Sequence, residues 1–245
     1  GGLGRRSGVF QRTGNVEAYL AYLRGRALLG RFSVAESDAA VPYFEKAIAL
    51  DPNFAAAYAS LYDARLQAAS WRHQDLEPVR QQHRSLIDRA LAIDPDAGEA
   101  YFARAMWAGT SVDARMADFR RGVALEPSNG RGLTAYAEFL RWELERPEDA
   151  APVLQRALQI DPMSPQAHFD AAMVSLDEVG AGAVERNMVE VLELDPQFVP
   201  ALEKVGLYRW LFHGKLADAV QILEHAIALD PGNPVPRHTA MAVYL

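Results

Sequence analysis

An all-α fold of stacked helix pairs, an α-solenoid, is what this sequence predicts, and three observations predict it. Asp-Pro or Glu-Pro closes an apolar helical run six times, at Pro52, Pro95, Pro127, Pro162, Pro196 and Pro231. The spacings between these prolines are 43, 32, 35, 34 and 35 residues, and self-similarity near 34 marks units that bury their faces only by stacking on neighbours. Ahead of three of the marks runs a small–large–small row at helical spacing, such as Ala40, Phe44 and Ala47, with weaker versions ahead of the other three; such a row lets helices approach closely around one knob.

The elements follow in order. Residues 1–15, beginning GGLGRRSG, read as a flexible lead-in or a remnant of cloning, since no strand precedes the glycines to make them a phosphate loop. First helices are predicted to start near Val16, Ala55, Gly98, Gly130, Pro165, Val199 and Pro234. Second helices carry Ala40/Phe44/Ala47, His83/Ile87/Ala90, Arg115/Phe119/Gly122, Ala150/Leu154/Ala157, Val184/Met188/Val191 and Ala219/Leu223/Ala226. Each ends at the mark because the residue before proline is pushed out of the helical region. Asn53, Asp96, Ser128, Ser164 and Asn233 are expected to cap the helix that follows. The 43-residue unit absorbs its extra length as longer helices or a protruding loop. Helix-forming sequence runs flush to Leu245, so the chain is expected to be part of a longer protein.

Composition excludes several function classes. The net charge of −7 argues against binding through phosphate neutralisation, so no nucleic-acid partner is expected. Cysteine is absent, which removes thiol catalysis, disulfides and cysteine metal sites. The six histidines include no pair at metal-binding helical spacing, and the pairs Glu143/Glu145 and Glu190/Glu193 read as solvated helix surface. No catalytic residue, metal or cofactor is expected, and no apolar run is long enough to span a bilayer.

The period, the rows and the prolines resemble the tetratricopeptide-repeat family over roughly residues 17–245. The resemblance implies a right-handed superhelix over residues 16–245, with about six helix pairs and one further C-terminal helix. The first helices would line its concave face. In members that bind extended peptides the contacts come from fixed positions of those helices. Carried onto this chain, the positions imply a protein- or peptide-binding groove of Phe102, Met106, Glu138, Arg141, Trp142, Phe169, Met173 and Trp210. Exposed Trp, Phe, Met and Arg suit a recognition surface, although packing between first helices accounts for Phe169, Met173 and Trp210 equally well. The lysine- and arginine-based carboxylate clamp of chaperone-binding members is not reproduced, and only three lysines are present. The first unit, TGNVEAYLAYLRGRALLGRF running into AAVPYFEKAIALDPNFAAAYASLYDA, is similar to the repeat regions of bacterial CadC-type transcriptional regulators and class III adenylate cyclases. That likeness implies the C-terminal regulatory arm of a signalling protein, cytoplasmic, or periplasmic behind a membrane-spanning segment. A small-molecule sensing domain and a homodimerisation module stay open as alternatives.

Overall fold

The computed structural model describes residues 13–30, 33–107, 109–175 and 180–244; most of the expected lead-in lies outside them. Every regular element among the described residues is helical. In chain order they are α1 (Val16–Leu29), α2 (Val34–Leu50), α3 (Ala55–Trp71), α4 (Leu76–Ile93), α5 (Gly98–Trp107), α6 (Val112–Leu125) and α7 (Gly130–Glu138). A π-helical turn, Phe139–Glu143, continues α7. Then come α8 (Pro147–Ile160), α9 (Pro165–Val174), α10 (Ala181–Leu194), α11 (Val199–His213), α12 (Leu216–Leu229) and α13 (Val235–Tyr244). The extra residues of the 43-residue unit lengthen α3 and α4.

The core is strung along the chain. Small buried clusters join α1 with α2 and α3, α3 with α4 and α5, α5 with α6 and α7, and so on to α12 with α13. That nearest-neighbour pattern is what makes a solenoid. The rows supply the knobs: Phe44, Phe119, Leu154, Met188 and Leu223 are all fully buried. A Cβ added at Gly25 would lie 2.7 Å from the Phe44 ring, and one at Gly206 would lie 2.8 Å from Leu223. Those two glycines are therefore the sockets that admit the knobs.

The corners differ from expectation in one respect. Ser164 and Asn233 do cap, accepting from Ala167 N–H and Val235 N–H. At α7, however, the cap is Asn129, not Ser128, and buried Phe54 occupies the corresponding place before α3. The aspartate of the mark shapes the corner instead. Asp51, Asp94, Asp161 and Asp195 each accept the N–H two residues on, at 3.0–3.1 Å, a side-chain turn that proline's fixed φ complements. The fourth residue of the next helix then binds back to the proline carbonyl six positions earlier: Tyr58 to Pro52, Tyr101 to Pro95 and His168 to Pro162.

The sixth corner departs from the others. Asp230 is buried and accepts the N–H of Val34, 196 residues away, at 3.1 Å. Gly232 allows this approach, since a Cβ there would lie 2.9 Å from Val34. His73 and His238 meet edge-to-face at 6.5 Å. The winding thus brings the last corner against the first helix pair and encloses the space that the first helices face.

Candidate ligand cavity on the inner wall

The first helices α3, α5, α7 and α9 surround a half-open cavity of about 570 Å³. Of the side chains expected in a groove, Phe102, Met106, Glu138, Trp142 and Phe169 line it. Phe102 does so mainly as a core residue, 5% exposed, pushed between Gly122 and Gly132, where added Cβ atoms would fall 2.9 and 2.4 Å from its ring. Arg141 supports the wall from behind, its guanidinium 4.9 Å from the centre of the Trp142 ring. Met173 and Trp210 are not on the cavity wall. Met173 is buried among α9, α10 and α11, and Trp210 packs part-buried against Ala219 and Leu223. Both are taken up in packing between neighbouring helices, as helices of a stack must be to bury area.

Trp142 stands in the π-turn that ends α7, whose wider repeat shows in the Leu144 N–H bond to Phe139 O, five residues back. Glu143, expected on solvated surface, is half-exposed and lines the cavity, where Arg115 meets it at 3.0 Å. Arg115 sits where the repeat calls for a small residue. It also donates to Ala105 O at 2.7 Å and lies 4.5 Å over Phe139.

The wall is charged, and most of the charge is matched. Arg131 of α7 donates to Asp63 of α3 at 2.9 Å, to Gln67 at 3.1 Å and to Leu29 O at the end of α1 at 3.3 Å. Trp107 Nε1 donates to the other Asp63 oxygen at 2.7 Å. Tyr22 donates to Glu99 of α5, which also pairs with Arg26. These bonds cross from the first and second units to the third and fourth and hold the curvature.

Glu138 and Asp170 are different. Gln166 Nε2 donates to Glu138 at 3.1 Å and to Asp170 at 2.8 Å. Burial, and then the neighbouring Glu138 charge, pushes the Asp170 carboxyl well above the ordinary carboxylate range. Burial likewise raises Glu138, opposed first by hydrogen bonding with Asp170 and then by the pull of Arg131. A raised carboxyl stabilises the fold below its unfolded value, and that stability is lost as pH rises through the folded value. Asp170→Asn, which keeps an acceptor for Gln166, is therefore expected to match the wild type near pH 4 and exceed it at pH 7–8. The gap should grow by up to about 1.4 kcal/mol per pH unit through the pair's titration. Urea midpoints measured across that range check it; parallel curves for the two proteins would contradict the buried pair.

Fold and cavity together define an α-solenoid, a stack of helix pairs with a half-open cavity on its inner wall. Residues 33–54, covering α2 and its corner, match the tetratricopeptide-repeat family profile. The chain is 24% identical over 220 residues to the TPR repeat-containing protein YpiA of Bacillus subtilis (strain 168), covering 73% of this chain and 50% of that one. It thus spans half the length of that relative. Among solved structures it is similar to the APC/C hetero-tetramer Cut9–Hcn1, with a TM-score of 0.61, 14% identity, and 94% of this chain and 46% of that one covered. It is also similar to PilF of Pseudomonas aeruginosa, with a TM-score of 0.56, 20% identity, and 77% and 88% covered. At such identities the likeness to these structures is one of fold. No helix among the described residues is long and apolar enough to cross a membrane.

Sequence reasoning missed Asp63, Asp170, Arg26, Arg115 and Trp107 on this wall. The available signal was an acid inside apolar first-helix stretches, in AYASLYDARL and AHFDAAMV. Helical solvation would be the ordinary explanation there.

Proposed function

We propose that the chain is a non-catalytic binding module that holds an extended peptide segment of a partner protein against its inner wall. The observation that carries this reading is the cavity, where Phe102, Met106, Trp142 and Phe169 stand among fixed charges. Aromatic anchors beside oriented polar groups are what a recognition surface needs. The likeness of the first unit to CadC-type regulators and class III cyclases supports placing the module as the C-terminal regulatory arm of a bacterial signalling protein, on the cytoplasmic side. One observation favours a second reading, a small regulatory ligand: the cavity volume of about 570 Å³ lies in the range of small-molecule sites, about 300–1,000 Å³.

The test is affinity selection of a random peptide library on the purified chain, followed by fluorescence polarisation with the enriched sequence. Trp142 is 57% exposed, so Trp142→Ala should leave the fold intact and weaken that peptide at least about tenfold, as loss of an anchor does. Trp210→Ala, away from the cavity, should leave binding unchanged. Equal affinity for wild type and Trp142→Ala removes the inner wall from consideration.

A further inference from the structure

We propose that Glu138, Gln166 and Asp170 form a receptor for a primary ammonium group, presented as a lysine side chain of the bound peptide. This rests on the peptide-binding reading above and deepens it.

The charge balance of the cavity points there. Arg26 is matched by Glu99, Arg131 by Asp63 and Arg115 by Glu143. Arg80, on the same wall, pairs outward with Glu77. No ion pair among the described residues includes Glu138 or Asp170; Arg131, which donates to Asp63, Gln67 and Leu29 O, is the positive group whose charge acts on Glu138. The protein's own lysines, Lys46, Lys204 and Lys215, all lie off the cavity wall.

A second observation is independent of the acids. Gln166 is 7% exposed and spends both amide protons on the two carboxyls. Its Oε1 is buried with no hydrogen-bond partner, although it belongs to a residue of the cavity wall. A buried acceptor without a donor is costly and calls for a missing group.

Two carboxyls tied together through one amide, and that amide's own unpartnered oxygen, gather acceptors from α7 and α9 at one place. Their complement is a compact cation with three donors, which an ammonium is and a planar guanidinium fork is not. Trp142 follows Glu138 by one turn, and Phe169 precedes Asp170; both line the cavity. Their faces suit the methylene stem of a lysine and the positive charge at its end.

The experiment titrates the intact chain with three blocked pentapeptides, acetyl-Ala-Leu-X-Leu-Ala-amide with X as lysine, acetyl-lysine or glutamate, and with n-butylamine and CaCl2. Tryptophan fluorescence and calorimetry read binding; Glu138→Gln and Asp170→Asn are the variants, with circular dichroism confirming that each folds. The lysine peptide is expected to bind at least tenfold tighter than the acetyl-lysine and glutamate peptides, and either variant should erase that preference. Peptides that bind without a lysine preference overturn the ammonium receptor and leave the peptide reading standing. Butylamine binding that both variants abolish, with no peptide binding, supports the receptor and overturns the peptide reading. Calcium binding lost in both variants, with no amine binding, makes this a metal site and overturns the proposal.

Discussion

Phe119→Ala is expected to destabilise the protein by about 3–5 kcal/mol, the cost of an emptied aromatic site in a close-packed core. Phe119 is fully buried, with the rings of Tyr136 and Phe139 centred 5.2 and 5.1 Å away. It joins α6 to both α5 and α7 through a cluster that includes Phe102 and Ala105. Phe102 is already wedged between Gly122 and Gly132, so the neighbours have little room to collapse into the space. Because a solenoid transmits stability through adjacent interfaces, the loss should be local. Hydrogen exchange should quicken most in α5–α7 and least in α12 and α13. An unchanged urea midpoint, or uniform loosening along the whole chain, would show that the repeat register is wrong.

Arg131→Met should have the next largest effect, about 2–4 kcal/mol, because it strands a largely buried carboxylate and does not merely delete a surface pair. The Arg131 and Asp63 side chains are only 21% and 18% exposed. Without the arginine, Asp63 keeps the Trp107 donor but loses its cation, and Leu29 O loses its donor at the end of α1. The expected readouts are a lowered melting temperature and a larger radius of gyration in X-ray scattering, since these bonds tie the first unit to the fourth. The double variant with Asp63→Asn should cost less than the two single changes combined, as coupled partners do. Strict additivity, with an unaltered scattering profile, would mean that the bridge does not hold the curvature.

The helical architecture was legible in the sequence to a fine grain. Six predicted first-helix starts, from Val16 to Val199, coincide with the observed ones, and the seventh is displaced from Pro234 to Val235. Even the three weaker rows, such as Val184/Met188/Val191, proved buried at their knobs. The cavity was only half legible. Positions carried over from relatives assume a uniform α-helix; five of the eight they mark line the cavity, Trp142 among them although it lies in the π-turn after Glu138, while Met173 and Trp210 pack elsewhere. Arg115 looked like a poor match to the repeat. It is a cavity residue, and the break in pattern is where the inner wall gains a charge.

What the sequence determined by itself is the local rule: knob, small neighbour and proline corner. Each lies within one unit or between neighbours, so the periodicity of residue types encodes it directly. What only the tertiary structure decided is how the curvature sums. Small rotations per unit bring Asp230 to Val34, Arg131 to Asp63 and Glu99 to Tyr22. Those meetings depend on the accumulated geometry of many helices, and no spacing along the chain carries that information.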